Sequence, residues 1–79
     1  MSLNEIKTTA ADLARRGHES GDFTLTNENI TGSAAEWYLI VHLANIYYNV
    51  FAGIYTKEQA KAAQRERIEF VRDKQPIFT

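Results

Sequence analysis

The sequence predicts an all-α fold of three helices, and two observations carry this prediction. First, a hydroxyl residue is followed three positions later by Glu or Gln at three points of the chain. In such a capping box the hydroxyl oxygen accepts a hydrogen bond from the backbone N–H of the third helical residue. The Glu or Gln side chain at that third position accepts a hydrogen bond from the backbone N–H of the hydroxyl residue. Second, apolar residues recur at helical spacing after each box. The three boxes are Ser2 with Glu5, Ser33 with Glu36, and Thr56 with Gln59.

The first helix is predicted over about residues 3–16. Its apolar stripe is narrow and consists of Leu3, Ile6, Ala10 and Leu13. Arg15 and Arg16 fall in the last turn, where positive charge suits the helix dipole. Gly17 follows as the expected residue beyond the helix end, because glycine readily adopts the left-handed conformation found there.

The second helix, predicted over about 34–52, is apolar around well over half of its circumference. Its polar stripe is limited to Tyr38, His42, Asn45 and Asn49. A helix with so wide an apolar arc must be covered on more than one side. The neighbouring helices offer little bulk, so we expect second helices of different chains to pack together in a homodimer or larger oligomer. The expected interface is Leu39, Leu43, Ile46, Tyr47 and Val50.

The third helix is predicted over about 57–74, with a small-residue apolar face and an otherwise charged surface. Residues 53–55 are too few for anything but a tight connection, so the last two helices should form an antiparallel hairpin. Between the first two helices, residues 17–32 are rich in Gly, Asn, Thr and acidic residues, which indicates an irregular loop. Residues 23–26 alternate as a strand would, so this segment is either an ordered loop or an edge that pairs in an oligomer.

Composition limits the classes of function. The 79 residues suffice for a single domain over 1–79, and the chain contains no cysteine. A net charge of −1 gives no general attraction to nucleic acid. We find no basic region followed by an apolar run near the amino end and therefore expect a cytoplasmic protein. The uncharged run from Trp37 to Thr56 is long enough for a bilayer, but His42, Asn45 and Asn49 would be costly there, so no membrane span is expected.

The sequence offers no convincing catalytic or metal site. His42 lies with Asn45 and Asn49 on one stripe, but no nucleophile or carboxylate accompanies it at helical spacing, so we predict no enzyme. Three neighbouring residues are of types that bind metal ions, namely His18, Glu19 and Asp22. Their spacing matches no recognised metal site, so we expect neither a metal nor another cofactor.

The sequence predicts a basic face on the third helix. Its members are Lys57, Lys61, Arg65 and Arg72, which could contact phosphate. Acidic residues are interleaved with them, namely Glu58, Glu66, Glu69 and Asp73. This alternation favours a solvated face, and direct binding of nucleic acid is not expected.

The segment from Tyr47 to Lys61, YYNVFAGIYTKEQAK, resembles short uncharacterised helical-hairpin proteins of phages and prophages in Gram-positive bacteria. In those proteins an aromatic-rich helix ends at Gly, and a Ser/Thr-Lys-Glu turn leads into a Lys-rich amphipathic helix. The resemblance implies an accessory protein of a mobile element. Such proteins include inhibitors of host defence systems and scavengers of signalling nucleotides, both of which act by stoichiometric binding.

Three functions therefore stay open. The first is a binding protein that inhibits a host protein through its acidic loop, with Glu19, Asp22, Phe23 and Glu28 as contact residues. The second is a sponge that holds a small nucleotide between subunits, with phosphate on Arg15 and Arg16 and stacking on Trp37 or Tyr38. The third is a structural or scaffold oligomer.

Overall fold

The computed structural model describes residues 2–23 and 33–74 of the chain. It contains α1 (Leu3–Ser20), α2 (Ala34–Phe51) and α3 (Lys57–Lys74). The predicted all-α class and the number of helices are confirmed, and the described residues include no strand. The predicted alternation over residues 23–26 lies outside the described residues, apart from Phe23.

The three predicted capping boxes form, which explains where each helix begins. At Ser33, the backbone N–H donates to Glu36 Oε1 at 2.9 Å, and Glu36 N–H donates to Ser33 Oγ at 3.2 Å. The same reciprocal pair joins Thr56 and Gln59 at 2.9 and 3.1 Å, and joins Ser2 and Glu5 at 3.4 and 3.2 Å. Each cap satisfies amides that the helix itself leaves without partners, which is worth about 1 kcal/mol.

The first helix is longer than predicted, because Gly17 lies inside it and does not end it. The left-handed residue at the helix end is Gly21, with φ of 75°, whose N–H donates to the Gly17 carbonyl. Gly17 is glycine for a different reason. A Cβ at this position would clash with the Phe23 ring, which packs on the bare backbone. The sequence-based prediction mistook a close-approach glycine for a cap.

The second and third helices form the predicted antiparallel hairpin. Arg67 Nη1 donates to Tyr38 Oη at 2.6 Å near the start of α2. Near its end, the Tyr47 hydroxyl donates to Gln64 Oε1 at 2.8 Å. As the position on α2 advances from Tyr38 to Tyr47, the contacted position on α3 moves back from Arg67 to Gln64, as an antiparallel hairpin requires.

The first helix runs parallel to the second. Its late residue His18 contacts the rings of Tyr48 and Phe51 at the end of α2, with centroids 6.1 and 5.9 Å apart. Its first residue, Leu3, shares a cleft with Ile68 near the end of α3. The chain therefore leaves α1 at one end of the molecule and enters α2 at the other.

The core lies where α2 meets its two neighbours. Leu39, Ile40 and Leu43 of α2 are fully buried, together with Ile6 of α1. The remaining buried apolar residues are Ala10, Ala14, Ala44, Ile46, Ala60, Ile68 and Val71. Three residues predicted for a contact between chains, Leu39, Leu43 and Ile46, thus lie in the subunit's own core. A second chain could not reach them without opening this fold.

Candidate binding groove

A groove separates α1 from α3, because the two helices flank α2 and approach each other less closely than either approaches α2. No Cα atom of α1 lies within 8 Å of one in α3. At one end of the groove, a cleft of about 280 Å³ lies above Tyr47, Val50 and Phe51 of α2. At the other end, a cleft of about 290 Å³ lies above Leu3 and Ile68. Both clefts are bordered by Lys61 and Gln64, so they are neighbours along α3, and we call the two together the α1–α3 groove.

The floor of the groove is apolar at the end that Phe51 occupies. Phe51 is 45% exposed, whereas Val50 and Tyr47 are partly buried. Burial raises the pKa of the Tyr47 hydroxyl, so this group stays protonated and donates to Gln64 in the groove wall. Tyr47 and Val50 were predicted as contacts between chains, and the structure places them on this floor.

The α3 wall of the groove is basic, and the α1 wall adds one lysine at the second cleft. Five of the nine Lys and Arg residues of the chain border it, one from α1 and four from α3. They are Lys7, Lys57, Lys61, Arg65 and Arg72. The acidic residue on the same border is Glu69, beside the second cleft. The groove therefore combines an exposed apolar floor with an excess of positive charge.

The sequence-based prediction of a solvated, mixed face on α3 missed this separation of charge. The basic residues follow spacings of four, four and seven, which places them within an arc of about 80° on a helix. The acidic residues occupy the adjacent arc of similar width, and one of them, Glu69, borders the second cleft. Charges that alternate along the chain are thus sorted into two stripes on the helix. A helical projection of residues 57–74 would have revealed the basic stripe.

The predicted acidic surface is only partly available for binding. Glu19 and Asp22 are exposed, and Glu19 Oε1 lies 4.0 Å from Arg15 Nη1. The Phe23 ring is half-buried and stacks on Tyr48 with centroids 4.3 Å apart, so it holds the end of α1 against α2. Glu28 lies outside the described residues.

The four residues proposed for nucleotide binding do not meet within one chain. Asp12 binds both arginines of this set, contacting Arg15 and lying 3.1 Å from Arg16 Nε. These arginines are near the end of α1, whereas Trp37 and Tyr38 are at the start of α2. Since α1 and α2 are parallel, the two pairs occupy opposite ends of the subunit.

The polar stripe of α2 lies on the face opposite to the groove. The rings of Tyr38 and His42 are 4.2 Å apart, and Asn45 is exposed. Burial lowers the pKa of His42 below its ordinary value of 6.5, and the nearby charge of Arg67 lowers it further. This cluster is a packed, half-exposed surface.

The lowered pKa of His42 predicts a specific loss of stability in acid. His42 takes up a proton more readily in the unfolded chain than in the folded one. The neutral imidazole therefore leaves the folded state at its full stability above pH 6.5, and this stability is lost as the pH falls through the lower pKa of the folded state. Between about pH 7 and about pH 5, the His42→Gln variant should therefore lose less stability than the parent chain. Urea denaturation at several pH values measures this, and equal losses in both proteins would contradict it.

Comparisons with known proteins do not assign the chain to a family. No family model matches it, and neither a curated protein nor a solved structure shows significant similarity. In the part of the chain that the structure describes, no three His, Cys, Asp or Glu side chains are arranged to hold a metal ion. None of the helices described here is both long and apolar enough to cross a bilayer.

Proposed function

We propose that this chain is a non-enzymatic binding protein that acts by stoichiometric binding of a partner protein in the α1–α3 groove. The observation that carries the proposal is the exposed apolar floor beside the basic wall that α3 forms. Exposed apolar surface rimmed by polar groups is typical of protein interaction sites. The positive rim would add steering and selectivity for an acidic partner surface.

The shape of the groove favours a protein segment over a small nucleotide. Small-molecule sites are generally concave and bury most of the ligand surface. The α1–α3 groove is open along its length, with its basic residues spread from Lys57 to Arg72. A sponge would have to assemble its arginines and aromatic residues from different subunits, because one chain keeps them apart.

The phage resemblance of residues 47–61 supports a host protein as the partner. An accessory protein of a mobile element acts in the cytoplasm of its host, where inhibition of a host defence protein requires only tight binding. We therefore place the partner among host proteins. The exposed carboxylates of Glu19 and Asp22 remain a second surface that such a partner could contact.

Photocrosslinking tests whether the groove is the docking surface. A photoreactive residue replaces Lys61 in the groove or, as the matched control, Glu66 on the acidic stripe of the same helix. We expect irradiation in a lysate of the source organism to give one stoichiometric adduct from position 61 and none from position 66. An adduct formed only from position 66, or from neither position, would contradict the proposal.

We also propose that the chain self-associates, through the outer face of α2 and not through the residues predicted from the sequence. Trp37 and Val41 are partly exposed on this face, whereas Tyr48 is already packed against Phe23. The whole run from residue 37 to residue 56 carries no Lys, Arg, Asp or Glu, so two copies could meet here without burying such a charge. A scaffold function would use the same contact.

Charge insertion on the outer face of α2 tests this contact. The Val41→Glu variant should sediment as a monomer at concentrations where the parent chain is a dimer or larger, because a carboxylate would be buried without a partner. The Ile54→Glu variant is the control, since Ile54 is 66% exposed beyond the end of α2. A parent chain that sediments as a monomer at micromolar concentration would end the proposal.

A further inference from the structure

We infer that the segment bound in the α1–α3 groove is an acidic amphipathic helix of the partner protein. This inference rests on the proposed function and specifies the chemistry of the occupant.

The length of the groove fits a helix of about four turns. Its basic border on α3 begins at Lys57 and ends at Arg72, both of which line the clefts. Fifteen helical steps separate these residues, which corresponds to about 22 Å at the rise of an α-helix. A partner helix of about fifteen residues would extend along the whole groove and contact both clefts.

The surroundings of the groove favour a helix over an extended peptide. Peptides that bind as strands gain affinity from backbone hydrogen bonds to an open sheet edge. Both walls of this groove are helices, whose backbone groups are already bonded within α1 and α3. A helix satisfies its own backbone and requires only side-chain contacts, so it can lie here without unpaired polar groups.

The charge and polarity of the groove define the faces of the bound helix. An apolar stripe would cover Val50 and Phe51 on the floor, and Phe51 is now 45% exposed. Carboxylates beside that stripe would reach Lys61 and Arg65, which are exposed on the wall. Lys7 on the opposite wall would meet a carboxylate on the other side of the stripe. A helix with acidic residues on both sides of an apolar stripe therefore matches this surface.

A nucleic acid is the less suitable occupant of the same basic border. It would leave the apolar floor without an apolar partner, and the chain as a whole has a net charge of −1. Glu69 lies on the same helix as the row of cations and borders the second cleft, where its carboxylate would repel a phosphate. Preferential binding of a nucleic acid in this groove would therefore overturn the inference.

Peptide selection on the full chain tests the inference. A displayed library of helix-forming 18-residue peptides with randomised surface positions is selected on the immobilised protein. We expect the enriched peptides to carry apolar residues at i, i+3, i+4 and i+7 with Asp or Glu on both flanks. A purified peptide should lose affinity about tenfold or more on the Lys61→Glu/Arg65→Glu variant, since two attractive contacts become repulsive.

The matched control reverses charge on the acidic stripe of the same helix. The Glu58→Lys/Glu66→Lys variant should bind the peptide as the parent chain does, within about twofold, and circular dichroism should show equal helicity in all three proteins. Enriched peptides without acidic residues, or equal losses in both variants, would overturn the inference. So would tighter binding of a labelled 20-nucleotide poly(dT) probe than of any selected peptide.

The two proposals fail in different ways. A crosslinked partner at position 61 together with selected peptides of any other chemistry would leave the groove as a docking site and reject the acidic helix. Acidic helical peptides could instead bind the groove while no adduct forms at position 61 in the lysate. That result would contradict the proposed function and support the inferred specificity of the groove for an acidic helix.

Discussion

The Leu43→Ala variant is expected to lose about 2–5 kcal/mol of its free energy of unfolding, the largest effect of any single truncation that we predict. Leu43 is fully buried in the core that α2 forms with its neighbours. Removing its side chain leaves a cavity that the flanking helices can only partly fill. Domains of this size are stable by roughly 4–12 kcal/mol, so the variant would approach the limit of folding. Urea denaturation followed by circular dichroism measures the loss.

The matched control for this truncation is Ile54→Ala. It removes a side chain of similar size at a position that is 66% exposed, so the stability should change by less than about 0.5 kcal/mol. A loss at Leu43 no larger than the loss at Ile54 would mean that α1 and α3 do not cover α2 as described.

The second large effect is a reversal of sign at Gly17, which depends on the residue at position 23. In the parent chain, Gly17→Ala places a methyl group against the Phe23 ring and should cost about 1–3 kcal/mol. In the Phe23→Ala background the ring is absent, and the same change should stabilise α1 by up to about 1 kcal/mol through helix propensity. The four proteins form a double-mutant cycle that unfolding experiments can close.

The control for this cycle is Ala14→Gly in the same helix. Ala14 is fully buried as well, but a glycine there only removes a methyl group and weakens the helix in either background. If Gly17→Ala were stabilising in the parent chain, the close contact between Gly17 and Phe23 would be wrong, and Gly17 would be an ordinary helical position.

Local sequence patterns predicted the helices well because their caps are local. Ser33 and Glu36 are three residues apart, and their reciprocal hydrogen bonds need nothing from the rest of the molecule. The error at Gly17 has the opposite origin. The role of Gly17 depends on Phe23. The Phe23 ring reaches Gly17 because the chain turns at Gly21 and the ring then stacks on Tyr48. A tertiary contact of this kind leaves no periodic signal around the glycine.

The coverage of α2 was misjudged for a similar reason. The narrow stripe of α1 and the alanines of α3 appeared too small to cover a wide apolar arc. In the structure, small residues such as Ala10 and Ala60 are buried in the core cluster with Leu39 and Leu43. Small side chains therefore cover α2 by allowing its neighbours to approach closely, where larger side chains would cover it from farther away. The parts of α2 that remain exposed are its outer face and the groove floor.

The groove could be predicted only in part. Lys57, Lys61 and Arg65 share one helix face, which the spacing of four residues already indicates. Their position opposite Lys7 could not be predicted, because it requires α1 to run parallel to α2. The long connection between the first two helices allows either direction, and helical periodicity alone does not choose between them.

Lysine footprinting of the isolated complex tests the central claim most directly. The chain has four lysines, of which Lys7, Lys57 and Lys61 border the groove, whereas Lys74 is the last residue of α3. Acetylation followed by mass spectrometry should show strong protection of the first three in the complex and unchanged labelling of Lys74. Full labelling of the groove lysines in a stoichiometric complex would show that the partner binds elsewhere.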